Sequence, residues 1–289
     1  MSSPEVWGPY LALAVFLAGA LAAVGRELRR TPEIDKVLAL ARVSLAVPIA
    51  VFGAEHLASP QTILKIVPAW MPGKLFWTYF VGAALLAAAI SLTVRIGMRL
   101  AATLLGILLF CFVATIHLPN ALAAPGSRIL WTIVARDSGF GAGAVLLGLA
   151  GVARKRTAGE RRAAAAALYW IALVTIFFGI EGLLHPQCVP AVPLAKTTPP
   201  WIPAAHFWTV LTGIALAAGG AALPVRKFSR QAGAALGVWV VALVATVYLA
   251  MMIAQRDIEG LNYFADTLMY GGVLLAASRG YEVSEGEVR

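Results

Sequence analysis

Two carboxylates stand in apolar sequence where lipid is expected, and they stand in matching surroundings. Glu55 lies in Phe52-Gly-Ala-Glu-His-Leu-Ala-Ser-Pro-Gln61, and 126 positions later Glu181 lies in Phe178-Gly-Ile-Glu-Gly-Leu-Leu-His-Pro-Gln187. Each sits near the end of a long apolar run and precedes a proline by five residues. A carboxylate inside a membrane is costly, so its default reading is a functional one. One helical turn from the end, such a carboxyl needs either a partner or a proton. A carboxyl that carries a proton can act as general acid toward a bound carbonyl. His56 adds a second donor beside Glu55, and His185 stands four residues after Glu181, close enough on a helix to touch it. Asp137 and Asp266 complete the set, as orienting partners or relays to water. The catalytic candidates are therefore Glu55, His56, Asp137, Glu181 and Asp266.

Plainer roles compete for the same residues. Asp137 can cap its helix or pair with the adjacent Arg136, because an acid suits a helix N-terminus. His56 can donate a structural hydrogen bond to a backbone carbonyl. No metal site is expected, since neither a His-Glu-x-x-His run nor paired cysteines occur. Cys111 and Cys188 share no spacing that would make a disulfide framework. The glycines from Gly139 to Gly143 suit close helix packing better than phosphate binding.

The elements that position these groups follow from composition. Of 289 residues, 60% are hydrophobic and 13% charged, where a soluble domain carries roughly a quarter charged. The class is an all-α polytopic membrane protein, with room for about nine spans of ~20 apolar residues and no separate soluble domain. Nine apolar runs are expected: Trp7–Val24, Val37–Ser59, Leu75–Val94, Leu100–Leu118, Ile129–Val152, Ala164–Leu184, Phe207–Val225, Ala232–Ala254 and Leu261–Ser278. The first run is followed by its arginines rather than preceded by them, so it is read as an uncleaved helix and not a secretory signal.

With alternate loops on opposite sides, seventeen of the 23 lysines and arginines fall on one side and six on the other. The positive-inside rule makes the crowded side cytoplasmic, with the N-terminus outside and the C-terminus inside. The net charge of +9 is thereby a topology signal and not a nucleic-acid footprint.

The doubling extends along the chain. Pro68-Ala-Trp70-Met-Pro72 recurs as Pro199-Pro-Trp201-Ile-Pro203, Phe76-Trp77-Thr78 as Phe207-Trp208-Thr209, and Gly82 and Gly106 as Gly213 and Gly237. Arg95 and Arg99 recur as Arg226 and Arg230, and Asp137 as Asp266. Two units of four helices each enter from the same side, so they are expected to be parallel repeats about an axis along the membrane normal. The divisions are 1–36 (N-terminal helix and cytoplasmic loop), 37–153 (first unit), 154–163 (basic solvated linker) and 164–289 (second unit and tail).

On this topology Glu55 and Glu181 lie about 7 Å below the outer ends of their helices, at ~1.5 Å per residue. His117 and Tyr248 fall at the outer ends of theirs, and Asp137 and Asp266 open the last helix of each unit from the outer side. One polar pocket per unit is expected in the outer leaflet. The proline-rich segments holding Trp70 and Trp201 would roof it or anchor at headgroup level. The ligand-contact candidates are Trp70, His117, Asn120, His185, Trp201 and Tyr248.

The run Gly53-Ala-Glu-His56-Leu-Ala-Ser-Pro60 followed by Val67-Pro-Ala-Trp-Met-Pro72 resembles the start of DoxX-type membrane proteins. Arg99-Leu-Ala-Ala, His117-Leu-Pro-Asn120 and Asp137 resemble the rest of that pattern. The likeness covers Ala41 to about Val152, with a weaker echo from Leu168 to Ser278, as in a tandem duplication. It implies a four-helix membrane unit; some relatives, the DoxD-type subunits, are linked to quinone-reducing thiosulfate oxidation. The second copy departs from the pattern, with Gly182 in place of His56 and Ala250-Met251 in place of Pro119-Asn120.

Two functions are compatible with these residues. One is a redox-linked inner-membrane protein binding a quinone or similar lipophilic carrier, with Glu55 and His56 supplying protons. Carrying no electron centre of its own, it would need a soluble or membrane redox partner. The other is a non-catalytic binder or transporter of a small hydrophobic or acidic molecule, or a scaffold subunit. Expected partners are the bilayer and a lipophilic small molecule.

Overall fold

The computed structural model describes residues 4–29, 33–150 and 156–281. Among these residues the regular structure is helical, apart from one isolated bridge between Cys188 and Thr197. The helices are α1 (Pro4–Leu28), α2 (Glu33–Ala58), the short α3 (Pro60–Ile63), α4 (Lys74–Val94), α5 (Met98–Phe112), α6 (Leu118–Ala123), α7 (Arg128–Ala150), α8 (Ala158–Leu184), α9 (Ala205–Ala222), α10 (Arg226–Leu243), α11 (Leu249–Gln255) and α12 (Ile258–Ala277). Two π-helical turns, Val113–His117 and Val244–Tyr248, join α5 to α6 and α10 to α11. Both begin Val-Ala-Thr.

Eight helices among the described residues are long and apolar enough to cross a bilayer, counting each π-joined pair as one. The chain thus has the build of a multi-pass membrane protein. α12 is outside that set although it is twenty residues long. Its surroundings explain its composition: buried along most of its length, it can carry Asn262, Asp266 and Thr267 without showing them to lipid. By contrast, α4, α5, α8 and α9 present outward faces of large apolar residues, including Phe76, Leu100, Leu173 and Ile214.

Charged residues set the helix ends. Thr157 caps α8 in a reciprocal box, its hydroxyl accepting from the Glu160 N–H and Glu160 accepting from the Thr157 N–H at 2.7 Å, which satisfies two otherwise unpaired donors. The Asp257 carboxylate caps α12 by accepting from the Gly260 N–H at 2.7 Å. Arg42 is buried: it pairs with Glu27 at 2.6 Å and donates to the Leu92 and Thr93 carbonyls at the end of α4. That fastens α1 to α2 and α4.

The helices form a closed circuit with crossed partners. α2 packs mainly on α1, α4 and α12; α8 packs mainly on α9 and α7. α5 lies on α7, α10 lies on α12, and α7 meets α12 in the middle. The first long helix of each expected unit therefore closes on the last helix of the other, and its contact with the last helix of its own unit is slight. Glycines set the closest approaches. A Cβ on Gly53 would come within 3.0 Å of the Gly82 carbonyl, and one on Gly179 within 2.8 Å of the Gly213 carbonyl. Across the crossed seams, a Cβ on Gly272 would meet Leu45 and one on Gly139 would meet Val174; in the middle, one on Gly143 would meet Val273.

Several expectations about placement change. Asp137 and Asp266 do not open their helices; they lie eight or nine residues inside α7 and α12, more than two turns at 3.6 residues each. His117 is not at a helix end either, because its π turn runs on into α6. The basic stretch 154–163 is not a wholly solvated linker. Arg156 is buried and donates to the Leu149, Arg279 and Gly280 carbonyls, and α8 begins at Ala158. Arg30, Arg154, Lys155 and Arg289, which entered the charge count, lie outside the described residues.

Candidate functional site

The polar residues singled out by type gather at the end of the bundle that carries the α2–α4 and α8–α9 loops. They form two separate groups, each joining the two halves. Arg136 makes one of them. Its guanidinium donates through Nε to Asp137 Oδ1 at 2.7 Å and through a terminal nitrogen to Asp266 Oδ2 on α12. The π turn swings His117 onto the other side of Asp137, with Nε2 at 2.8 Å from Oδ2. One guanidinium and one imidazole thus serve two carboxylates, tying α7, α12 and the α5–α6 joint together. Charge-assisted bonds of this kind are roughly twice as strong as neutral ones.

Glu55 adjoins this group from α2. It is 8% exposed, and the Asn262 side chain engages its carboxyl while Asp266 acts on it electrostatically. Glu55 Oε1 and Asn262 Oδ1 are both buried with no hydrogen-bond partner among the described residues. An unsatisfied buried acceptor costs about 1–3 kcal/mol. Of Glu55, Asp137, Glu181 and Asp266, Glu55 is the one without an ion pair among the described residues. Three carboxyls in this group face one guanidinium and one imidazole, and Glu55 is the one those cations leave to the Asn262 side chain.

Glu181 lies apart and is served differently. Its Oε2 accepts from Arg128 at 3.2 Å and stands 3.8 Å from His185 Nε2, so the expected contact between i and i+4 is present. Arg128 also donates to the Pro193 and Leu194 carbonyls at 2.6 and 2.9 Å. His56 takes the plainer of its two roles: Nδ1 donates to the Phe52 carbonyl at 2.8 Å, and its Cβ lies against α4 at Gly82. Tyr248 is fully buried and donates to the Pro190 carbonyl. Trp70 and Trp201 are 68% and 54% exposed and Asn120 is exposed; none of the three has a recorded bond to the network. Indole rings at such positions suit the membrane interface.

The pairing of Asp137 with the adjacent Arg136 is as the sequence allowed; residue typing missed the second partner of Arg136, Asp266, and missed Arg128 and Asn262 altogether. A signal for Arg136 was present, since an arginine inside an apolar run cannot rest against lipid and must find acids. Asn262 had no comparable signal. Among the described residues, no three of His, Cys, Asp and Glu gather closely enough to hold a metal ion.

The arrangement can hold a proton or a hydrogen-bonding head group at Glu55, beside a fixed ionic cluster that keeps Asp137 and Asp266 compensated. Residues 45–136 match the family model described as a domain of unknown function, DUF8561. That stretch runs from the middle of α2 through Glu55, His56 and His117 to Arg136. No curated protein and no solved structure matches the chain.

Proposed function

We propose that the protein binds a quinone or a similar lipophilic carbonyl compound in the outer leaflet, with Glu55 as the group that donates to its head. One observation carries this: Glu55 Oε1 is buried without a hydrogen-bond partner, and so is Oδ1 of Asn262, whose side chain engages the same carboxyl. A protonated Glu55 bonded to a ligand carbonyl would remove the penalty on its own oxygen. Asp266 and Arg136 then hold the floor of the site at fixed charge. Redox turnover of such a ligand requires electrons from a partner subunit, as the DoxD-type resemblance implies.

This reading includes nine membrane helices, N-terminus outside and C-terminus inside, and a tandem pair of DoxX-like units at 37–153 and 164–289. Support for the pair comes from the matching π turns and from the matching Gly53–Gly82 and Gly179–Gly213 approaches. The carrier alternative needs halves that rock against each other. The crossed packing of α2 on α12 and of α7 on α8 opposes that motion, which favours a fixed binding site.

Extraction in mild detergent followed by mass analysis of retained small molecules tests the reading. Wild type should retain a quinone-class compound and Glu55→Ala should lose it. Retention of bulk phospholipid alone would sink the proposal. Topology is checked by labelling from outside: a cysteine placed at Lys196 should react and one at Arg162 should not.

A further inference from the structure

The two loops at the site end differ in length and in fate. Glu55 precedes Trp70 by fifteen residues, and Glu181 precedes Trp201 by twenty. The longer loop sends Cys188–Leu194 into the protein, where all seven residues are buried. No residue between Ser59 and Trp77 is buried.

Side chains grip the inserted segment by its carbonyls. Tyr248 donates to Pro190, Arg128 donates to Pro193 and Leu194, and Thr209 donates to Cys188 at 2.8 Å. Ala191 holds a left-handed φ of 75°, a conformation that costs a non-glycine residue of order 1 kcal/mol or more and persists where the surroundings over-determine it. The segment's outline is that of a narrow apolar body studded with carbonyl oxygens.

In the first half the corresponding side chains hold other partners. Thr78, the match of Thr209, turns back to the Lys74 carbonyl of its own helix, and His117, the match of Tyr248, turns to Asp137. Val244, Val247 and Tyr248 of the second π turn are buried; no residue of Val113–His117 is. Glu181 lies against the inserted segment through Arg128. Its match Glu55 has an unpartnered oxygen and is more than nine-tenths buried.

We infer that Cys188–Leu194 is a built-in occupant of the second half's groove, and that the matching groove of the first half, between Val113–His117 and the head of α7, takes a free molecule of the same chemistry: an elongated apolar compound with a terminal carbonyl. The chain then has one ligand groove, and this rests on the lipophilic-ligand reading above while narrowing it to one half.

A long-chain alkyl ketone carrying a diazirine, photolysed with the full-length protein in lipid nanodiscs, tests this by peptide mapping. Label displaced by excess unlabelled ketone should fall within residues 113–137, with less than about a tenth as much over 244–266. In Tyr248→Phe, or in Thr209→Val should that variant fold better, loosening the segment should add displaceable label over 244–252. Loss of one grip worth ~1.4 kcal/mol should raise that label about tenfold. Second-half label above about a tenth of the first half's in wild type, or no displaceable label in either half, overturns the inference, and so does no gain of label in either variant. Displacement by the ketone but not by decylubiquinone upholds the groove and sinks the quinone reading alone.

Discussion

Replacing Arg136 by leucine should be among the most damaging single changes in the bundle. Arg136 is the shared partner of Asp137 and Asp266. Without it Asp137 keeps His117 as a donor, while Asp266 loses its one recorded ion pair among the described residues. Removing one member of a buried pair costs about 3–5 kcal/mol because the other charge is stranded. For a chain of this size that corresponds to a fall in Tm of roughly 10 °C, at about 2–4 °C per kcal/mol. Adding Asp266→Asn removes the stranded charge, so the double variant should regain about half of the loss. Tryptophan fluorescence during heating in detergent would follow this, since the chain has eight tryptophans. Wild-type stability in Arg136→Leu would refute the bridging role. So would a double variant no more stable than the single one, because stranded charge would then not be the cause.

Glu55→Gln keeps shape and hydrogen bonding, so stability should stay within about 1 kcal/mol of wild type. Ligand retention by mass analysis should persist while turnover that needs a proton is lost; full turnover would remove Glu55 from the chemistry. At Gly179 a new Cβ would stand 2.6 Å from the Ala217 nitrogen and 2.8 Å from the Gly213 carbonyl. Gly179→Ala should therefore separate α8 from α9 and cost about 1–3 kcal/mol. At Gly25 nothing lies within 4 Å of the added Cβ, and Gly25→Ala should be neutral or gain up to ~1 kcal/mol of helix propensity. Both are read as Tm shifts, and equal effects at the two sites would count against glycine-set packing.

The helices were legible because each apolar run must satisfy its own backbone in lipid, and helix is the local way to do so. The collection of polar groups at one end was legible too, since alternating direction carries Glu55, His117 and Asp137 to one side. Pairing was not. Sequence distance says nothing of which acid Arg136 reaches, and its second partner lies 130 positions away. The π turns were hidden because Val-Ala-Thr-Ile-His is ordinary helical sequence; the extra residue in the turn is dictated by packing. The inserted segment left a trace in the five additional residues before Trp201, but length alone cannot tell a plug from a longer surface loop.

The crossed closure of α2 on α12 sets a timetable for synthesis. α2 ends at Ala58 and α12 begins at Ile258, so the ribosome adds about 200 residues between them, roughly 10–40 s at 5–20 residues per second. Throughout that interval the acid face of α2 has no Asn262 beside it, and Arg136 emerges well before Asp266. The nascent chain must shelter Glu55 in the insertion machinery, against another membrane protein, or with a proton in place. Ribosome-stalled chains ending before α12 should accordingly be the forms most readily captured by membrane chaperones and proteases.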